Sequence, residues 1–345
     1  MTLPLYRKIY QDLERAIQSG SFSSGSQLPT EKELADTYQV SRITSKRALN
    51  ELETSGYIYR VRGKGSFVKD HLPSPMHQTN RILFLLPFMK DLSLGNFTEG
   101  LSPIMQANNL DVLMTTMAYL NHKNTEEIIQ EFDGLIYYVQ YPESHLDLFA
   151  ALAFKKFPVI LLDKKIYDLP FPTIMSENTG GGFSATNYLI QDGHHRIAYL
   201  FGQESLPQSV RQRYLGYIQA IKEAGLDFLT TIEDKKNIQT HLIDYVKENS
   251  ITALVCENDL TAIHAMKLLK EAGFLIPEDI SIVGFDNIQA ASLVEPPLTT
   301  VAQNFKRLGQ IAGQYLVDSM RDNQLLDDKK IPVALIKRQS TKELK

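Results

Sequence analysis

Leu28-Pro29-Thr30-Glu31-Lys32-Glu33-Leu34-Ala35, followed by Val40-Ser41-Arg42-Ile43-Thr44-Ser45-Lys46-Arg47-Ala48-Leu49, decides how the N-terminal region folds. Thr30 with Glu33 three positions later is a capping-box pattern, in which each side chain satisfies a free backbone N–H. A helix therefore starts after Thr30. A short turn at Gln39-Val40 follows, and Ser41 can cap the next helix, which runs to about Thr54. Upstream, Leu5, Ile9, Leu13 and Ile17 recur every four residues and predict a helix over 4–19. Downstream, 57–61 and 66–68 read as strands around Arg62-Gly63-Lys64-Gly65, where glycine permits a tight turn. The order is that of a winged helix-turn-helix over residues 1–70.

On a wheel of about 100° per residue, the third helix separates into two faces. Ser45, Ala48, Leu49 and Leu52 share one side, and Arg42, Lys46, Arg47 and Asn50 share another. One face suits a core and the other a phosphate-rich partner. Charge agrees: the 345-residue chain carries a net −4, yet residues 1–70 carry +3 and the remainder −7. That asymmetry is expected when only one end meets nucleic acid.

Residues 71–80, with Pro73 and Pro75 among polar neighbours, read as a linker. From residue 81 the pattern alternates. Apolar strand candidates lie at 82–87, 112–117, 134–139, 159–162, 197–201, 253–255 and 280–284. Helical stretches lie at 124–132, 146–156, 180–192, 209–224, 238–248, 260–272 and 305–321. Short buried strands between amphipathic helices imply parallel sheets covered on both faces. The length exceeds one usual core, so 81–345 is expected to form two α/β lobes. The fold class is thus α/β, a winged helix-turn-helix followed by a two-lobed, doubly wound domain.

Residues 1–70 resemble the winged-helix domain of the GntR family of bacterial regulators. The match rests on 28–34, on Val40-Ser41-Arg42 and on Gly63-Lys64-Gly65-Ser66-Phe67-Val68. Residues 81–340 resemble the effector domain of the LacI/GalR family, itself similar to periplasmic sugar-binding proteins. There the match rests on Asp192-Gly193-His194-His195-Arg196, Arg213-Tyr214-Leu215-Gly216-Tyr217, 253–259, 276–287 and Leu298-Thr299-Thr300-Val301. The combination resembles the arabinose-repressor group. It implies a homodimeric repressor on double-stranded operator DNA, released by a small sugar, L-arabinose being favoured. Another sugar, a sugar phosphate, a purine or a corepressor mode stays open.

In such a regulator Arg42 is the expected base reader, because Arg can bridge guanine O6 and N7. Lys46 follows one turn later. Ser41 and Thr44 suit a phosphate or base edge, and Arg7, Lys32 and Arg47 suit phosphates. Gly63, Lys64 and Gly65 suit a wing tip in the minor groove. Ligands of open α/β sheets bind beyond the carboxyl ends of strands. This places Asp163 and Lys164, Glu177, Asn258 and Asp259, and Asp286 at the ligand site. Arg213 matches the family's ligand-contacting arginine, and Arg213→Ala is expected to spare DNA binding while abolishing the response. Glu177 stands where the family usually has Asp, so its longer reach favours a small ligand such as a pentose. Phe97 and Phe305 are an apolar wall or core residues.

Other chemistries have little support. Cys256 is a lone thiol in an apolar run and excludes an internal disulfide. His194-His195 read as a helix C-terminal dipole partner and a surface residue, and no metal or cofactor is expected. Gly180-Gly181-Gly182 is no phosphate loop and eases a helix start. There is no GxSxG elbow, so an enzyme is not expected. No apolar run reaches membrane-spanning length, and no signal segment opens the chain, so a cytoplasmic protein without membrane contact is expected. A transport binding protein would leave the basic head unexplained.

Overall fold

The computed structural model describes residues 4–61, 63–70, 79–87, 96–140, 142–202, 206–233, 235–322 and 326–344. Most of the expected linker, 71–78, and Arg62 of the wing lie outside them. The chain divides into two compact units, Met1–Thr79 and Asn80–Lys345.

The first unit contains α1 (Leu5–Gln18), α2 (Glu31–Tyr38), α3 (Arg42–Thr54), β1 (Ile58–Val61) and β2 (Gly65–Val68). Thr30 and Glu33 form the capping box, and the Thr30 N–H holds the Glu33 carboxyl below its ordinary range. Gln39, at φ +55, stops α2 in the left-handed region. The strands pair antiparallel, with Ile58 opposite Val68. Ile9, Leu13, Ile17, Leu34, Leu49, Leu52 and Ile58 are buried together as one core. Fully burying such a side chain contributes about 1.5–3 kcal/mol, so the unit has its own source of stability.

The second unit has two sheets. The first contains β3 (Arg81–Leu86), β4 (Asp111–Thr116), β5 (Gly134–Tyr138), β6 (Val159–Leu162), β7 (Thr173–Ser176) and β12 (Lys329–Ile331), in the order β12-β7-β6-β5-β3-β4. Its pairings are all parallel. The helices α4 (Thr98–Ala107) and α12 (Phe305–Asp322) cover one face, and α5 (Thr125–Glu131) and α6 (Leu146–Phe154) the other. The second sheet contains β8 (Ile197–Leu200), β9 (Ala253–Cys256), β10 (Ser281–Asp286), β11 (Thr299–Ala302) and β13 (Ala334–Ile336), in the order β13-β11-β10-β9-β8. It lies between α7 (Asn178–Gln191) with α8 (Gln208–Glu223) and α9 (Lys235–Thr240), α10 (Leu242–Glu248) and α11 (Asp259–Glu271).

Besides α4, β11, β12 and β13, which lie outside the expected stretches, three places depart from expectation. The stretch 238–248 is two helices, because His241 leaves helical geometry at φ −124, ψ 38. The second sheet is not wholly parallel, since β13 returns antiparallel against β11. Gly182 does not ease a helix start. A Cβ there would lie 2.0 Å from the Arg213 carbonyl oxygen, so the glycine lets α7 and α8 touch backbone to backbone. The chain passes between lobes three times, at 176–178, 302–305 and 331–334. These crossings lie beside the carboxyl ends of β7 and β10. Among the described residues no helix is long and apolar enough to cross a membrane.

Candidate functional site

The first unit carries a cationic face. Its core side buries Ser45, Ala48, Leu49 and Leu52, so the opposite side of α3 faces outward. Arg42 and Lys46 are exposed there, without an acidic partner among the described residues. Ser41 and Thr44 have a local task. Their hydroxyls lie 2.8 Å apart, and Ser41 Oγ accepts from the Thr44 N–H at 3.2 Å, capping the helix. Arg47 is also engaged, 3.3 Å from the Glu51 carboxylate and 3.8 Å above the Tyr6 ring. Lys32 is exposed in the first turn of α2, and Arg7 is half-buried in α1. At the wing, Gly63 and Lys64 are exposed, and Gly65 has φ +117. Gln27 donates to the Lys64 carbonyl at 2.7 Å and packs where a Gly65 Cβ would sit. That contact fixes the wing tip.

Arg60 was not anticipated. From β1 it reaches Glu31 at 3.4 Å and Glu53 at 3.5 Å, linking the wing to the start of α2 and the end of α3. Only the alternation of Tyr59-Arg60-Val61 hinted at an inward arginine, and its partners lie too far away in sequence to read.

The second unit gathers charge where its strands end. Arg213, from α8, is buried, with Nε donating to Asn178 Oδ1 at 2.9 Å and Nη1 to the Glu257 carbonyl at 2.6 Å. Its Nη2 lies 3.2 Å from Asp286 Oδ1, and the guanidinium stacks 3.8 Å above Phe285. Gln303, in the 302–305 crossing, donates to the same Asp286 oxygen at 2.6 Å. From the other lobe, Asp163 accepts from Ser209 at 3.2 Å and pairs with Lys164 at 2.9 Å. Lys164 also donates to the Val139 carbonyl at 2.8 Å. The lobes thus touch across the cleft, with Gln208 accepting from the Lys165 N–H.

Electrostatics show what this cluster lacks. Burial opposes the Arg213 cation, but Asp286 and Asp163 more than offset it and hold the group above its ordinary value. Burial raises Asp286, and the Arg213 cation only partly counters this. Arg213 and Lys164 balance the charges of Asp286 and Asp163, but these pairs do not use all of their hydrogen-bonding groups. Asp163 and Asp286 also sit at φ +72 and +115. Such backbone costs on the order of 1–3 kcal/mol and gathers at ligand sites. A guanidinium has five N–H donors, and the bonds above use three of Arg213's. Two donors and the second oxygens of Asp163 and Asp286 remain. A ring of hydroxyls, each donor and acceptor at once, satisfies that set.

The remaining expected residues lie nearby in different roles. Asn258 caps α11, its Oδ1 accepting from the Thr261 N–H at 2.8 Å, which leaves its amide N–H groups beside Glu257. Glu177 ends β7 with its side chain 38% exposed and 3.6 Å from Lys330, so it lies at the rim. Phe97 and Phe305 pack edge-to-face at 5.1 Å within the first lobe's core. Ser209, Asn178 and Gln303 were not anticipated. Only Asn178, beside Glu177, carried a sequence signal.

His195 is exposed as expected, but His194 is not a helix-dipole partner. It is buried, with Nδ1 3.0 Å from Thr252 Oγ1 and Nε2 3.2 Å from the Lys342 carbonyl, and burial lowers its pKa. Asp259, at the start of α11, accepts from the Ile288 N–H at 2.8 Å and from Thr300. Burial first, and then Asp286, raise its carboxyl from 3.8 to about 7. The folded protein therefore binds a proton there that the unfolded chain has released. This contribution to stability is complete below 3.8 and is lost as pH rises through about 7. His194 acts in the opposite sense over part of that window. Comparing parent with Asp259→Asn isolates the carboxyl: the urea midpoint of the variant should fall less than the parent's between those limits. Parallel profiles would refute the assignment.

Comparison with known proteins agrees with both units. Residues 5–68 match the model of bacterial regulatory proteins of the gntR family, and residues 186–341 match the periplasmic binding protein-like domain. The chain is 28% identical to the arabinose metabolism transcriptional repressor of Geobacillus stearothermophilus, over 99% of each chain. It is 29% identical to the HTH-type transcriptional repressor CytR of Escherichia coli (strain K12), over 85% of this chain and 90% of that one. Among solved structures, a LacI family transcriptional regulator from Enterococcus faecium with bound ribose superposes with a TM-score of 0.65 at 27% identity. It covers 77% of this chain and 100% of its own. The protein thus joins a gntR-family DNA-binding domain to a two-lobed, periplasmic-binding-protein-like domain of the kind LacI-family regulators carry.

Proposed function

We propose that the chain is a sugar-responsive transcriptional repressor of carbohydrate-utilisation genes. It acts in the cytoplasm as a homodimer, catalyses no reaction, and L-arabinose releases it from its operator. The observation that carries this reading is the coexistence in one chain of two unsatisfied surfaces. One is the α3 face, where Arg42 and Lys46 have no acidic partner among the described residues. The other is the Arg213–Asp286–Asp163 cluster, where two guanidinium N–H groups and the second carboxylate oxygens remain open. The whole-length likeness to an arabinose metabolism repressor supports the choice of effector.

A two-fold dimer reads a pseudo-palindromic site. A sugar bridging Asp163 of one lobe to Arg213 and Asp286 of the other stabilises the closed cleft. A hundredfold loss of operator affinity needs about 2.7 kcal/mol of coupling, within reach of two charge-assisted hydrogen bonds. A purine fits less well. Its rings need an aromatic face, but Phe285 already carries Arg213 and Phe97 is enclosed by Phe84, Tyr138 and Phe305.

Thermal unfolding of the full chain with pentoses, hexoses, sugar phosphates and purines tests the effector. A ligand at a hundred times its Kd adds about 2.7 kcal/mol, and the expected result is a clear upward shift with L-arabinose. A shift with purines alone would overturn the sugar assignment.

A further inference from the structure

Ile43 is 81% exposed, against 56% for Leu5 and 41% for Tyr59, the other exposed large apolar side chains described in the first unit. A lone exposed apolar residue is ordinary. What distinguishes Ile43 is its position. At about 100° per residue it points about 170° away from the mean direction of Ser45, Ala48, Leu49 and Leu52. It therefore lies at the centre of the outward face of α3, in its first turn. Its neighbours are mostly engaged: Ser41 and Thr44 in the cap, Arg47 with Glu51 and Tyr6. The first two turns thus offer three unengaged side chains, Arg42, Ile43 and Lys46.

Arginine and lysine supply only donors, which suit guanine O6 and N7 or phosphate. An A·T pair presents a different edge in the major groove, and its distinguishing group is the C5 methyl of thymine. An apolar side chain beside two cations, in the turn that approaches base edges, matches that group. We infer that Ile43 is a specificity-determining residue that packs on a thymine methyl group in each operator half-site. The inference rests on the DNA-binding reading above and adds a base preference to it.

The test uses the full-length chain and the duplex it enriches from a randomised library. Thymines are replaced one at a time by uracil, which pairs identically but lacks the methyl group. At one thymine per half-site the parent should bind about fourfold more weakly, the worth of one buried methyl, and about fifteenfold more weakly with both replaced. Ile43→Ala should bind thymine and uracil duplexes alike, and Ile43→Val should keep most of the discrimination. Both variants should melt with the parent, because the side chain is exposed. Uracil tolerated by the parent at every position, or discrimination retained by Ile43→Ala, would overturn the inference while leaving the regulator intact. Enrichment of no duplex at all would overturn the DNA-binding reading and the inference with it.

Discussion

Replacing Arg213 by Met is expected to cost the effector domain about 3–5 kcal/mol, the range for removing one partner of a buried pair, and to abolish any response to sugar. The stability loss follows from what the guanidinium holds. Asn178 Oδ1 and the Glu257 carbonyl, both on buried residues, and the partly exposed Asp286 each lose a charged donor. Asp286 is then left without its cation, while Asp163 keeps Lys164 but loses the favourable field of Arg213. For a domain of this size the melting temperature should fall on the order of 10 °C. This adds a stability cost to the expectation that an Arg213 variant spares DNA binding and abolishes the response. The separation needs a second variant. Arg213→Lys keeps the charge but not the planar fork, so it should regain part of the stability and still fail to respond. Operator binding below the melting temperature should survive in both, since the DNA-binding unit has its own core. An Arg213→Lys protein that is released by sugar at the parent's concentration would show that the cleft is elsewhere.

What was legible beforehand depended on whether a signal was local. The capping box at Thr30 and the two faces of α3 are written within a few residues, and both appear in the structure. Apolar runs marked β6 at its observed bounds, Val159–Leu162, and β5 to within one residue. The carboxyl ends of strands then placed Asp163 and Asp286 close to one another. The links between them were not legible. Asp163 meets Ser209, and Arg213 meets Asn178 and Glu257, across 35 to 46 residues, which no periodicity encodes. The strands β12 and β13 have three residues each, too few to show alternation, yet they carry the third passage between lobes. The misreading of His194 has the same origin. Its partner Lys342 returns from 148 residues away, and a residue that looks like a helix end becomes buried. Arg47 is the opposite case. Its Glu51 partner is four residues on, a spacing that favours pairing and could have been read from the sequence.

On the operator, Arg42→Ala should weaken binding by about 1–3 kcal/mol per head and relax base choice at one position of each half-site. In the proposed dimer the two heads add, so the loss reaches roughly 2–6 kcal/mol, or about 30-fold to more than 10⁴-fold in affinity. The magnitude rests on the absence of a competing partner. Arg42 is exposed and not tied down in the free protein, so its full hydrogen-bonding capacity is available to guanine. Arg47 is nearly as close on the helix but already stacks on Tyr6 and pairs with Glu51. Arg47→Ala should therefore cost less on DNA and some stability in the head itself. Lys64→Ala at the wing provides the control. Removing a phosphate contact weakens all sequences alike and lowers the slope of log affinity against log salt by about one per contact. Measured over a salt series on the selected duplex and on a scrambled one, Arg42→Ala should narrow the gap between the two. Lys64→Ala should leave that gap unchanged. If Arg42→Ala instead weakened both duplexes equally, Arg42 would be a phosphate anchor, and base reading would fall to Lys46 and its neighbours on the same face.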